Sequence, residues 1–74
     1  MSVTLQYGVY TLISRPHFDD KLRLWLANTS ISRSDRKFYY HQLSDFAQTF
    51  ETEEEALAFG FSAARLWIDK HEGE

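Results

Sequence analysis

Phe50-Glu51-Thr52-Glu53-Glu54-Glu55-Ala56-Leu57 is the stretch on which the fold of this chain turns, because it marks where a helix begins. Thr52 followed three residues later by Glu55 is a capping-box spacing: the hydroxyl accepts from the backbone N–H of Glu55, and the carboxylate reaches back to the N–H of Thr52. Glu53 and Glu54 add negative charge against the positive end of the helix dipole. The pattern predicts one helix from about Glu53 to about His71. Phe59, Leu66, Ala56, Ala63, Trp67, Gly60, Ala64, Leu57, Ile68 and Phe61 then fall in an arc of roughly 220°. A helix lying on a small sheet needs a stripe of only about 100° or a little more. The surplus implies that the connection before the helix folds back over one flank, or that a partner chain covers it. Gly60 sits inside this arc at a cost of about 1 kcal/mol relative to Ala. A close approach of the helix backbone to the sheet or to another helix offsets that cost.

Upstream of the helix the periodicity changes to two. Val3, Leu5, Tyr7, Val9, Thr11 and Ile13 alternate with Thr4, Gln6, Gly8, Tyr10 and Leu12, which reads as one strand. Pro16 removes a donor and holds Arg15 extended, so Arg15 to Asp20 reads as a turn or loop. Leu22, Leu24 and Leu26 alternate with Arg23 and Trp25, giving a second strand that runs toward Ile31 before a turn at Ser32-Arg33-Ser34-Asp35. Lys37 to Leu43 gives a third, with Phe38, Tyr40 and Gln42 facing one way and Tyr39, His41 and Leu43 the other. Ser44 to Glu51 is a connection anchored by Phe46 and Phe50. The expected fold is α+β, one domain over residues 1–74: a three-stranded antiparallel β-meander packed against one long C-terminal α-helix.

A chain of 74 residues without cysteine has no disulfide or thiolate metal site to hold it together. Six Phe, four Tyr and two Trp supply the compensating apolar area. The first residues lack the basic start of a signal peptide, and no apolar run approaches the ~20 residues that cross a bilayer. The expectation is a cytoplasmic protein without a membrane partner. The net charge of −3 is unevenly spread. Residues 1–44 carry six bases against three acids, whereas residues 45–74 carry two bases against eight acids. Such a division suits an oriented partner or head-to-tail self-association, and it also suits an ordinary solvated surface with carboxylates at a helix N-terminus.

The order of strands followed by a helix opened by Phe50-Glu51-Thr52-Glu53-Glu54-Glu55-Ala56 resembles a set of small, functionally uncharacterised bacterial domains. These have a β-meander covered by one C-terminal helix, a βββα arrangement. The specific likeness spans residues 50–68. It implies a fold and transfers no catalytic motif.

Candidate chemistry is sparse. Ser14, His17 and Asp19 are the residue types of a nucleophilic triad, but neighbours along one turn do not face one another productively. His17, His41 and His71 with Asp19 and Asp20 lack any compact ligand spacing, so no metal is expected. Gly8, Gly60 and Gly73 make no phosphate cradle, and the helix opens on carboxylates that repel an anion. No catalytic residue and no cofactor is therefore expected. The leading expectation is a non-enzymatic domain for protein–protein association, with an unknown partner or with itself as a homodimer. Its contact residues would be Phe59, Phe61, Leu66 and Trp67 on the surplus helix flank, or the exposed edge of the sheet. The alternative is a single-stranded nucleic-acid binder using Arg33, Arg36, Lys37, Tyr39 and His41, where cations pair phosphates and rings stack bases.

Overall fold

A computed structural model describes residues 2–44 and 47–72. The expected contribution of Phe46 falls outside these residues. Six strands and one helix follow in the order β1 (Val3–Tyr7), β2 (Tyr10–Ser14), β3 (His17–Asp19), β4 (Leu24–Leu26), β5 (Thr29–Arg33), β6 (Arg36–Leu43) and α1 (Glu53–Glu72). The class is α+β, as expected. The expected count of three strands is corrected to a four-stranded antiparallel sheet, β1-β2-β5-β6, and a two-stranded one, β3-β4.

The first correction comes from Gly8. The supposed single strand over Val3–Ile13 is a hairpin in which Tyr7 pairs with Tyr10 across a two-residue turn. Gly8 has φ +63° at the first central position, the conformation a type II′ hairpin turn requires. Such a turn preserves alternation while swapping its parity. Val3, Leu5 and Tyr7 share their face with Tyr10, Leu12 and Ser14, not with Val9, Thr11 and Ile13.

The second correction comes from Pro16. Tyr10↔Arg33, Ser14↔Thr29, His17↔Leu26 and Phe18↔Trp25 all keep one register, and the Arg15 N–H donates to the Asn28 carbonyl at 2.7 Å between them. Thus β2 with β3, and β4 with β5, are the two arms of one long hairpin. The ladder breaks opposite Pro16, which has no N–H to give. The expected second strand, from Leu22 toward Ile31, divides into β4 over Leu24–Leu26 and β5 over Thr29–Arg33, which also takes in Ser32 and Arg33 of the expected turn. Lys21 to Arg23 lies in the tip, where the Asp19 carboxylate accepts from the N–H groups of Lys21 (2.9 Å) and Leu22 (3.0 Å). Arg23 closes that tip with φ +59°.

The helix starts where the sequence places it. Thr52 N–H donates to the Glu55 carboxylate at 3.2 Å, and Glu55 N–H donates to the Thr52 hydroxyl at 3.1 Å. Its buried residues are Ala56, Gly60, Phe61, Ala64 and Ile68, an arc of roughly 140°. They pack on Tyr10, Leu12 and Ile31 of the central strands, with Val3, Leu5, Tyr7, Tyr39 and Leu43 around them. At Gly60 the helix backbone meets the sheet: a Cβ there would stand 2.1 Å from Thr29 Oγ1 and 2.7 Å from Ser14 Oγ. The close approach is thus to the helix's own sheet. Part of the surplus arc is closed by the chain itself, while Leu66 stands exposed. Phe50, tied to Trp25 by two backbone hydrogen bonds, lays its ring 5.0 Å from that of Phe59.

Candidate functional site: the uncovered sheet face and the β5–β6 hairpin

One helix covers one side of the sheet and leaves the other to solvent. Register and alternation define two rows across the uncovered face: Thr4–Ile13–Ser30–Gln42 and Gln6–Thr11–Ser32–Tyr40. Neither row contains a charged side chain. Hydroxyls and amides are joined within it, Thr11 Oγ1 donating to Gln6 Oε1 (3.1 Å), Tyr40 Oη to Gln42 Oε1 (3.0 Å) and Gln42 Nε2 to Asn28 Oδ1 (2.7 Å).

The edge of this face is β6. It pairs regularly with β5 from Tyr40 to Leu43; the register then shifts, with Ser32 opposite Tyr40 and Arg33 opposite Arg36. Lys37, Phe38 and Tyr39 are therefore a bulge. Tyr39 turns inward, its ring 6.1 Å from that of Tyr10. Phe38 stands 92 % exposed, with Lys37 Nζ 6.0 Å from its ring centroid, and Tyr40 is 58 % exposed.

The hairpin turn is held from below. The Arg33 guanidinium forks onto Asp35, Nε to Oδ1 at 2.7 Å and Nη2 to Oδ2 at 2.5 Å, while lying 5.2 Å from the Tyr10 ring and 5.7 Å from the Tyr39 ring. That hydrogen-bonded guanidinium holds the Asp35 carboxyl below its ordinary pKa. Ser34 donates from both N–H (2.9 Å) and Oγ (3.2 Å) to the Val9 carbonyl, locking the hairpin to the Gly8 turn.

On the helix side the rings run as a chain. Tyr39 and His41 are 5.2 Å apart, His41 and Trp67 4.4 Å, and Trp67 and His71 4.3 Å in a near-parallel stack. The His71 Nδ1–H donates to the Trp67 carbonyl at 2.9 Å. At the opposite edge Tyr7 Oη donates to Asp69 Oδ1 at 3.0 Å, which raises the phenol pKa.

These contacts sort the expected site residues. Of the nucleic-acid set, Arg33, Tyr39 and His41 are engaged on the helix side, and Arg36 and Lys37 are exposed at the hairpin tip. Tyr40 and the hydroxyl rows of the open face, with Phe38 on the bulge beside them, are the residues that the expectation omitted. The Ser30-x-Ser32 and Tyr40-x-Gln42 alternation was their signal. Of the association set, Phe61 is a core residue (8 % exposed), Phe59 rests on Phe50 and Trp67 lies between two imidazoles. Only Leu66 stands outward, at 69 % exposure. The four do not form one surface. Ser14, His17 and Asp19 stay apart in role as well: Ser14 is buried and donates to the Leu57 carbonyl (3.1 Å), Asp19 caps the hairpin tip and His17 is exposed. Among the described residues no group of three or more His, Cys, Asp or Glu side chains is placed to hold a metal. No helix of the described residues is long and apolar enough to cross a membrane.

A sheet of this topology closed by a capped helix occupies nearly the whole sequence, and a family model spans the same range, matching residues 2–74. The chain belongs to the DUF6566 family. That family is described as a domain of unknown function, so membership leaves the role to the geometry. No curated protein and no solved structure matched the chain.

Proposed function

We propose that this DUF6566 domain is a non-enzymatic recognition module that docks an extended chain on β6 and the uncovered sheet face. The observation that supports it is Phe38. A phenyl ring 92 % exposed, beside a 58 % exposed tyrosine on a sheet edge, forgoes burial that a core position would give it. Another polypeptide, a second copy of this chain included, finds a regular edge for strand addition only along Tyr40–Leu43 of β6. A second reading, nucleic acid, is favoured by the Lys37 ammonium beside the Phe38 ring and by the absence of carboxylates from the two rows. Either use moves the contact surface from the helix flank to the sheet.

The test is an amide shift map of the 15N-labelled chain in two arms, a concentration series of the protein alone and a titration with decathymidylate. Shifts confined to β6 and the two rows support the reading. Shifts centred on the outward side of α1 around Leu66, or none in either arm, contradict it.

A further inference from the structure

We propose that the extended chain recognised on this surface is a single-stranded nucleic acid, with bases stacked on Phe38 and Tyr40 and phosphates beside Arg36 and Lys37. The inference rests on reading β6 and the open face as the docking surface, and it names what docks.

A pair of exposed rings is the first support. Phe38 and Tyr40 lie two residues apart on β6, 92 % and 58 % exposed, so both leave ring surface open to a stacked base. Every base offers a π-face, and stacking therefore needs no particular sequence.

Charge is the second. Arg33 is already neutralised by Asp35, so the positive charge of the hairpin tip is that of Arg36 and Lys37, both exposed. The face running away from them holds Ser32, Thr11, Gln6 and Gln42, which donate and accept without charge and so suit base edges. The carboxylates behind the net charge of −3 lie elsewhere, with Glu53, Glu54 and Glu55 in the first turn of α1.

The bulge decides against the competing polypeptide. Strand addition needs a regular edge, and β6 keeps a regular register only from Tyr40 to Leu43. A bulge of this kind twists the edge away from pairing, while it pushes Phe38 into the open. Tyr40 belongs to a row on the face of the sheet and not to the plane of its edge.

The test is fluorescence anisotropy of 5′-fluorescein decathymidylate titrated with the full chain. Saturable binding is expected at about 20 mM NaCl, with log affinity falling against log salt at a slope near −1.4 for two neutralised phosphates. Phe38→Ala and Tyr40→Ala each weaken binding roughly 5- to 150-fold, and Lys37→Gln halves the slope. Leu66→Ala leaves binding unchanged. Far-UV circular dichroism checks that each variant is folded. No anisotropy change up to about 1 mM protein at low salt, salt-independent binding, or a Phe38→Ala variant that binds like the parent overturns the proposal. If the oligonucleotide is silent while a protein concentration series shifts the same amides, the docking surface stands and the nucleic acid falls. If neither arm responds, both fall.

Discussion

Gly60→Ala is the substitution that interrogates the packing most severely. Helix propensity alone favours it by about 1 kcal/mol. The structure opposes it, because the new methyl would lie 2.1 Å from Thr29 Oγ1 and 2.7 Å from Ser14 Oγ. Recovering an ordinary 3.4 Å contact with Thr29 requires about 1.3 Å of separation. Thr29 is fully buried and β-branched, so turning its hydroxyl away by χ1 forces its methyl into a new place in the packed core. Ser14 is held by its bond to the Leu57 carbonyl. Lifting the helix instead loosens Ala56, Ala64 and Ile68 against the sheet. Overpacking costs typically 1–3 kcal/mol and occasionally more; with the helix lifted along much of its length, about 3–4 kcal/mol is appropriate. Subtracting the propensity gain leaves a net loss of about 2–3 kcal/mol. That is a large part of the ~4–11 kcal/mol available to a chain this long. With a urea m-value near 1 kcal/mol/M, the midpoint followed by far-UV circular dichroism falls by roughly 2–3 M. Adding Thr29→Ala removes the worst contact and leaves the Cβ of residue 29 at 3.5 Å, so the double variant recovers part of the loss. A Gly60→Ala chain as stable as the parent, or more stable, refutes the argument that the helix is pressed onto Ser14 and Thr29.

Three further outcomes follow from local chemistry. Thr52→Ala removes the hydroxyl that accepts from Glu55 N–H and is expected to cost about 1 kcal/mol in urea unfolding; an unchanged midpoint contradicts the cap. Arg23→Gly relieves a left-handed backbone at φ +59° and is expected to raise stability in urea unfolding by up to about 1 kcal/mol, whereas destabilisation would show that the Arg23 side chain matters more than its backbone. The Asp35 carboxyl has its pKa lowered by the Arg33 hydrogen bonds, so its contribution is present above the unfolded pKa of about 3.9 and is lost as pH falls through the folded value. Asp35→Asn therefore flattens the loss of stability below about pH 4, and acid titrations that superimpose for parent and variant refute the role.

Much of this architecture was written locally and could be read locally. The capping box uses only Thr52, Glu55 and their own backbone, so spacing alone announces it. Pro16 was legible as a break in the ladder. Its neighbours in space were not, because one register carried past the break depends on Asn28 and Leu26 far along the chain. The Gly8 turn escaped for a different reason: two residues of turn leave the apolar alternation intact and only change which parity faces inward. The open face was hidden by the same limit. Alternation groups Tyr39, His41 and Leu43 against Phe38, Tyr40 and Gln42, two sets of similar polarity, and says which residues share a side. Which side the helix covers is decided by tertiary packing. The apolar stripe of roughly 220° is buried over only about 140°, and the cover on Phe59 came through Phe50, placed by a backbone bridge to Trp25 that no periodicity encodes.

The central claim is that Phe59, Phe61 and Trp67 of the helix are covered by the chain itself while the opposite sheet face is open. Paramagnetic relaxation of the side-chain protons by a soluble gadolinium chelate measures this in one experiment on the dilute protein. Strong attenuation is predicted at Phe38, Tyr40 and Leu66, with Phe59, Phe61 and Trp67 protected. Attenuation of Phe61 and Trp67 to the level of Phe38 would contradict the account and return the contact surface to the helix.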